Sequence, residues 1–132
     1  MVQQLMSRGI LDTSVLIADD VTPIPGELAI SVVSLAELHL GVLIAGSDDA
    51  RSLRLRRLSV VQRRFDPLPV DEAVAESYGM LAAKVVGLGR RPRSRSLDLM
   101  IAATAHAHGA TLYTRNPDDL RGLTDVVRME RA

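Results

Sequence analysis

Three carboxylates in this chain stand where carboxylates are costly. In GILDTSVLIADD, Asp12 separates Ile10-Leu11 from Val15-Leu16-Ile17; in SVVSLAELHLGV, Glu37 interrupts an apolar run; in SLDLMIAATAHAHG, Asp98 does the same. A lone ionised carboxylate taken out of water costs several kcal/mol unless it is paired or bound to a cation. Three that met without a cation would also repel one another, raise each other's pKa and weaken the fold. Their convergence therefore implies a metal ion. The chain has no cysteine, and oxygen donors alone select Mg²⁺ or Mn²⁺ over zinc. Such hard cations keep several waters and bridge readily to phosphate oxygens.

Each acid also has a purely local explanation. Ser34 and Glu37 match the S-x-x-E capping box, although the apolar start at Ser31-Val32-Val33 puts the helix N-terminus earlier. Asp98 follows Ser96 closely, and an acid in a first helical turn gains about 0.3–1 kcal/mol from the helix dipole. Its helical face, however, carries Ile101, Ala102 and Ala105. Asp12 can serve as an N-cap, with Thr13 an equal competitor. Glu37 shares its face with Val33, Leu40, Gly41 and Ile44, and only Ser34 and His39 are also polar between Val32 and Gly46. A helix apolar nearly all round is expected to be buried. His39, His106 and His108 are dispersed and read as surface or core imidazoles, and no cysteine or elbow motif supports a nucleophilic triad.

The elements that must position these acids alternate between strand and helix. A strand is expected over residues 9 to 12, with Thr13 or Ser14 able to cap a following helix, and a second near Leu28 to Ile30 after the Pro23, Pro25, Gly26 loop. A helix then runs from Ser31 or Ser34 to about Ala45, and an Arg-rich helix from 48 to 64. An extended piece at Leu68 to Val70 precedes a helix over 71 to 86. GLGRRPRSRS reads as a loop, 97 to 108 as a helix stopped by Gly109, TLYT as a strand, NPDDLRG as a short helix and DVV as a last strand. This order indicates an α/β sandwich with a mostly parallel sheet, expected as one domain over residues 1 to 132. In such sheets, sites lie beyond the carboxyl ends of the strands. Asp12 and Thr114-Arg115-Asn116 fall at two such ends.

Composition narrows the partners. Sixteen basic and sixteen acidic residues cancel, so no global field draws the chain to nucleic acid or membrane. Fifteen of the basic residues are arginine, and ten of these lie in two segments free of acids, 51 to 64 and 90 to 95. Trp is absent and Phe65 is the only Phe, which argues against base stacking as the main mode of binding single strands. Any contact with nucleic acid should be electrostatic. No run approaches about 18 apolar residues and no basic-then-apolar leader is visible, so a soluble chain is expected. The lack of cysteine suits a reducing, cytoplasmic compartment.

ILDTSVLI, SVVSLAELHLGV, SLDLMIAATAHAHG and LYTRNPDDL, in that order, resemble the four motifs of PIN-domain nucleases, and of the VapC toxins of toxin–antitoxin pairs in particular. The resemblance spans residues 9 to about 127. It implies a five-stranded parallel sheet flanked by helices, a Mg²⁺- or Mn²⁺-dependent endoribonuclease, a VapB-type antitoxin whose tail occupies the active groove, and a homodimer. Carried over by position, Asp12, Glu37 and Asp98 match the first three acids, and Thr13 or Ser14, with Thr114, the small hydroxyl positions. Asn116 stands where the family usually has a fourth acid, as a catalytic-site position. Asn before Pro117 is also a good helix N-cap. Three carboxylates and an amide should hold a second metal poorly unless Asp118 or Asp119 swings in. The implied reaction is phosphodiester hydrolysis, with Arg115 and Arg93 or Arg95 as candidates to hold RNA phosphates. The arginines of 51 to 64 spread around their helix and read as a solvated surface. Phosphoaspartyl folds fit poorly, since Lys84 lies mid-helix and Ser14 stands where phosphatases of that type need a second acid. The alternative is a PIN-like module of weak or lost turnover that holds RNA or a protein.

Overall fold

The computed structural model describes residues 7–132. Residues 1–6, included above in the domain and in the search for a leader, lie outside the described residues. The elements are β1 (Arg8–Leu11), α1 (Thr13–Leu16), β2 (Glu27–Ala29), α2 (Val32–Leu43), α3 (Asp48–Arg64), α4 (Glu72–Gly87), α5 (Ser96–Ala107), β3 (Thr111–Thr114) and β4 (Met129–Arg131), with 3₁₀ turns at Pro92–Arg95 and Pro117–Leu120. The four strands form one parallel sheet in the order β2-β1-β3-β4. From β1 the chain steps to β2 on one side and later returns to β3 on the other. The carboxyl ends of β1 and β3 therefore flank a topological switch point, where open α/β sheets form binding crevices.

Side-chain alternation sends successive residues of each strand to opposite layers. Ile10 and Leu112, paired across β1 and β3, join the cluster that holds Leu81, Val85, Leu99 and Ile101 from α4 and α5. Their neighbours Leu11 and Tyr113 face the other layer, with Leu38, Val42, Leu58 and Val61 from α2 and α3. Gly9 is required by that packing: a Cβ there would lie 2.6 Å from Tyr113 Cε2 and 2.9 Å from Leu28 Cδ2. Gly109, at φ +62°, lets the chain leave α5, and the Ala110 N–H then donates to the Ala105 carbonyl at 2.9 Å.

Three expectations need correction. Four strands form the sheet where five were implied; the extended piece at Leu68 adds only a single parallel bridge to Ser31. DVV is not a strand. The Val126 and Val127 N–H groups both donate to the Leu123 carbonyl in a turn that drives Val127 into the core, and pairing with β3 begins later, over Met129–Arg131. Finally, α2 is not buried all round. Leu40, Leu43 and Ile44 are 56%, 77% and 65% exposed, because only the face bearing Val33, Ser34, Leu38 and Val42 meets the rest of the chain.

Candidate active site

Register brings the first part of the site together. Leu11 pairs with Tyr113, so Asp12 and Thr114 leave adjacent strand ends side by side, and the Asp12 N–H donates to the Tyr113 carbonyl at 2.9 Å. The Asp12 side chain does not cap α1. Its Oδ2 accepts from Ser14 Oγ at 2.7 Å and from Thr114 Oγ1 at 2.9 Å. Each hydroxyl is fixed in turn by a backbone donor: Ser14 Oγ accepts from the Arg115 N–H at 3.0 Å, and Thr114 Oγ1 from the Asn116 N–H at 3.1 Å. A hydroxyl carries one proton, so both point theirs at the carboxylate.

Glu37 reaches the same place from α2. The helix is capped by Ser31, whose side chain accepts from the Val33 N–H, and this leaves the Ser34–Glu37 spacing free of capping duty. Three residues apart on one face, both side chains meet Thr13. Its Oγ1 lies 2.6 Å from Glu37 Oε1 and 2.9 Å from Ser34 Oγ. Thr13 Oγ1 donates toward both, with the shorter contact to the carboxylate, and the Ser34 hydroxyl that shares it is fully buried. Ser34 is the functional residue that the sequence reading missed. Its signal was the same S-x-x-E spacing, weighed above only as a capping box.

Asp98 lies in the first turn of α5, half-buried, with Arg95 Nη1 at 3.5 Å. Arg95 also contacts Asp119, at 3.3 Å, and so bridges the two acids. Asp12, Thr13, Ser14, Glu37, Asp98 and Asp119, with Thr114 and Asn116, line one cavity of about 290 Å³. Asn116 occupies the cap position of the 3₁₀ turn but makes no side-chain cap bond. Three sequence candidates lie outside the cavity lining: Arg93 is exposed, Arg95 spans its acids from beside it, and Arg115 is held by Asp20 at 2.7 and 3.2 Å. Asp20 is held below the usual carboxylate range by that guanidinium. A larger cavity of about 460 Å³ between α1 and α3 is walled by apolar side chains and arginines, with no acid to do chemistry.

The electrostatics of the acid cavity favour a cation. Burial, and then Asp98 and Asp12, push the Glu37 carboxyl above its ordinary range, against the opposing Thr13 hydrogen bond. Burial, and then Asp12 and Asp119, push Asp98 up, against Arg95. The guanidinium of Arg95 is already drawn onto two of the acids. The donor set, hard oxygens crowded in one cavity, fits Mg²⁺ or Mn²⁺. As the side chains stand, no three acidic or imidazole groups among the described residues gather closely enough to hold an ion by themselves.

The PIN domain family matches residues 10–124 of this chain. The chain is 39% identical over 125 residues to Ribonuclease VapC4 of Mycobacterium tuberculosis, covering 90% of this chain and 93% of the relative. Ribonuclease VapC5 of the same organism is 38% identical over 130 residues, covering 94% and 93%. Among solved structures, a member of the VapBC family of toxin–antitoxin systems, VapBC-5 from M. tuberculosis, superposes with a TM-score of 0.82 at 39% identity, over 95% of this chain and 97% of that one. FitAcB from Neisseria gonorrhoeae superposes with a TM-score of 0.72 at 26% identity, covering 92% and 96%.

Proposed function

This chain belongs to the PIN-domain family and, within it, to the VapC ribonucleases, and from that premise we propose that it is a divalent-metal-dependent endoribonuclease, the toxin of a toxin–antitoxin pair. The observation that carries the reading is the meeting of Asp12, Glu37 and Asp98, from three separate elements, around one cavity at the sheet's switch point. These three residues, with Asp119 at the rim, would hold Mg²⁺ or Mn²⁺. When bound, such an ion supplies an acidified water and offsets charge on a phosphate. The chain's own contribution is position. Ser14 and Thr114 aim Asp12, Thr13 aims Glu37, and Asn116 presents an amide beside them. Arg93, Arg95 and Arg115 are the candidate phosphate contacts. Arg95 lies nearest the acids, on Asp98 and Asp119, while Arg115 is held by Asp20, and each would exchange a carboxylate for phosphate.

We assign the rest of the setting on the same footing. The whole chain is one PIN domain, its site is blocked by a VapB-type antitoxin as the VapBC likeness suggests, and it works in the cytoplasm, which its cysteine-free composition suits. No helix among the described residues is long and apolar enough to cross a membrane. The exposed Leu40, Leu43 and Ile44 at the end of α2 support an interface with a second copy or a partner. A second reading, a PIN-like module of weak turnover that holds RNA or protein, draws on Asn116 in place of a fourth acid. Incubation of a mixed RNA pool with Mg²⁺, with Mn²⁺ and with chelator separates the two. Cleavage that needs metal and disappears in Glu37→Gln supports the ribonuclease; tight binding with intact RNA in every lane supports the module.

A further inference from the structure

A second cavity adjoins the acid site. Its volume is about 540 Å³, and its walls carry Arg90, Arg91, Arg95 and Arg121 with Ser94, over apolar side chains such as Leu99. Asp119 and Leu120 line both cavities, so the two share a wall, and Arg95 stands at the divide with its guanidinium on Asp98 and Asp119. We infer that this arginine cleft seats the RNA strand immediately to one side of the phosphate that is cut.

Four features of the cleft agree. First, the volume lies within the roughly 300–1,000 Å³ typical of ligand clefts. Second, four arginines and two acids, Asp118 and Asp119, line the cleft, and Asp119 is already paired with Arg95; the cleft is positive next to a cavity that is negative. A polyanion threading past the acids needs that change of sign, and the planar guanidinium fork matches phosphate oxygens in pairs. Third, the cleft is pre-shaped. Arg90, from the loop after α4, donates through Nη1 to the Arg121 carbonyl at 3.0 Å, which ties the two walls together. Fourth, part of the α3 arginine set is committed to carboxylates, Arg51 to Asp48 and Arg57 to Asp19. Among the described residues, Arg90, Arg91 and Arg121 form no ion pair, so three charges gathered in one cleft are free to meet phosphates. The cleft has no aromatic side chain, so it should grip phosphates without reading bases. The choice of RNA as occupant rests on the ribonuclease reading; the site itself rests on the geometry.

The test is the binding of a short fluorescein-labelled single-stranded RNA by the full chain in chelator, followed by anisotropy across a salt series. Arg91→Ala/Arg121→Ala should bind about tenfold or more weakly. Its log–log salt slope should shrink by about 1.4, at about 0.7 for each single-strand phosphate that is no longer neutralised. Arg91→Lys/Arg121→Lys should recover most of the slope, and the control Arg56→Ala/Arg63→Ala on α3 should bind like the parent. Equal binding and slope in the first variant overturn the inference, as do equal losses in the α3 control. A first variant that keeps its RNA affinity but no longer captures the antitoxin would give the cleft to a protein and also overturn it. Cleavage with Mn²⁺ is measured in parallel. If the parent binds RNA through the cleft but cuts nothing, the ribonuclease reading fails and the cleft stands. If both chains cut equally well at limiting RNA, the cleft fails and the ribonuclease stands.

Discussion

Replacing Thr114 by valine removes one oxygen from the site and almost nothing else. Thr114 is 3% exposed and ends β3, where a β-branched side chain of the same shape suits the strand. The hydroxyl donates to Asp12 Oδ2 at 2.9 Å and accepts from the Asn116 N–H at 3.1 Å. A hydrogen bond to a charged group contributes about 1.5–3 kcal/mol net. The freed Asn116 N–H belongs to an exposed residue, where water can replace the lost acceptor at little cost. The expected loss is therefore about 2–3 kcal/mol. At about 2.1 cal/mol/K of unfolding entropy per residue, that corresponds to a fall of about 7–11 °C in Tm for a chain of this length in chelator. Asp12, held then by Ser14 alone, should also bind metal more weakly, by about 10–100-fold, as when the support of a ligand is removed. Thr114→Ser keeps the hydroxyl and loses a methyl group, so it should lose about 1 kcal/mol and keep its metal affinity. Thermal unfolding in chelator and calorimetric titration with Mn²⁺ measure both effects. A valine variant that melts with the parent and binds Mn²⁺ equally well, or a serine variant as impaired as the valine one, would refute the claim that this hydroxyl aims Asp12.

Glu37 has its carboxyl raised above the ordinary 4.5 by burial and by Asp98 and Asp12, so the folded chain keeps a proton that the unfolded chain releases first. In chelator, stability should then fall as pH rises from about 4.5 through the folded value, and Glu37→Gln should flatten that fall and outlast the parent near neutrality; superimposable stability–pH curves would count against it. Asn116→Asp should tighten Mn²⁺ binding, since affinity for hard cations rises with ligand charge, and should cost the 3₁₀ turn nothing, because the Asn116 side chain makes no cap bond there. An unchanged Mn²⁺ isotherm there, with a crippled one in Asp119→Asn, would assign the fourth ligand position to Asp119. Gly9→Ala should cost about 1–3 kcal/mol by overpacking, because the new methyl would sit 2.6 Å from the Tyr113 ring; a urea midpoint equal to the parent's would show that the ring can move aside freely.

The acids of the site were legible because each breaks a rule that holds elsewhere. A carboxylate inside an apolar helical face demands a reason, and Glu37 and Asp98 kept that demand once Ser31 took the capping role and Ile101, Ala102 and Ala105 proved buried. The placing of Asp12 and Thr114 at strand carboxyl ends followed from the same alternation of apolar runs and breakers, whereas the strand order β2-β1-β3-β4 came only with the fold. What sequence patterns handled poorly were elements with weak or misleading periodicity. Val126 and Val127 look more like a strand than Met129–Arg131 does, yet a turn at Leu123 uses their N–H groups and turns Val127 into a core plug, while β4 is a mostly exposed edge. α2 reads as apolar on every side, and its exposed Leu43 and Ile44 satisfy nothing within this chain. A pattern measures what a helix can bury, not what is there to bury it.

The polar support was less legible than the acids for a related reason. A serine near a helix start has a ready local explanation as a cap, which hides Ser34 behind Thr13. Thr13 and Ser14, which donate to two carboxylates, were placed beside the site by resemblance and not by their local pattern. Arginines are harder still, because a long side chain chooses its partner through the tertiary fold. Arg115 sits beside the site in sequence but is held by Asp20, whereas Arg121, a residue of no motif, ends up beside Arg90 and Arg95. Local spacing can place a carboxylate on a helix face within about one residue, since its reach is short. It cannot place a guanidinium, whose neighbours are set by which loops the sheet brings together. The arginine cleft accordingly follows from the crossover that packs the loop after α4 against the turn after β3, and any change that shifts that packing, such as removal of the Arg90 bond to the Arg121 carbonyl, should alter RNA binding before it alters the acids.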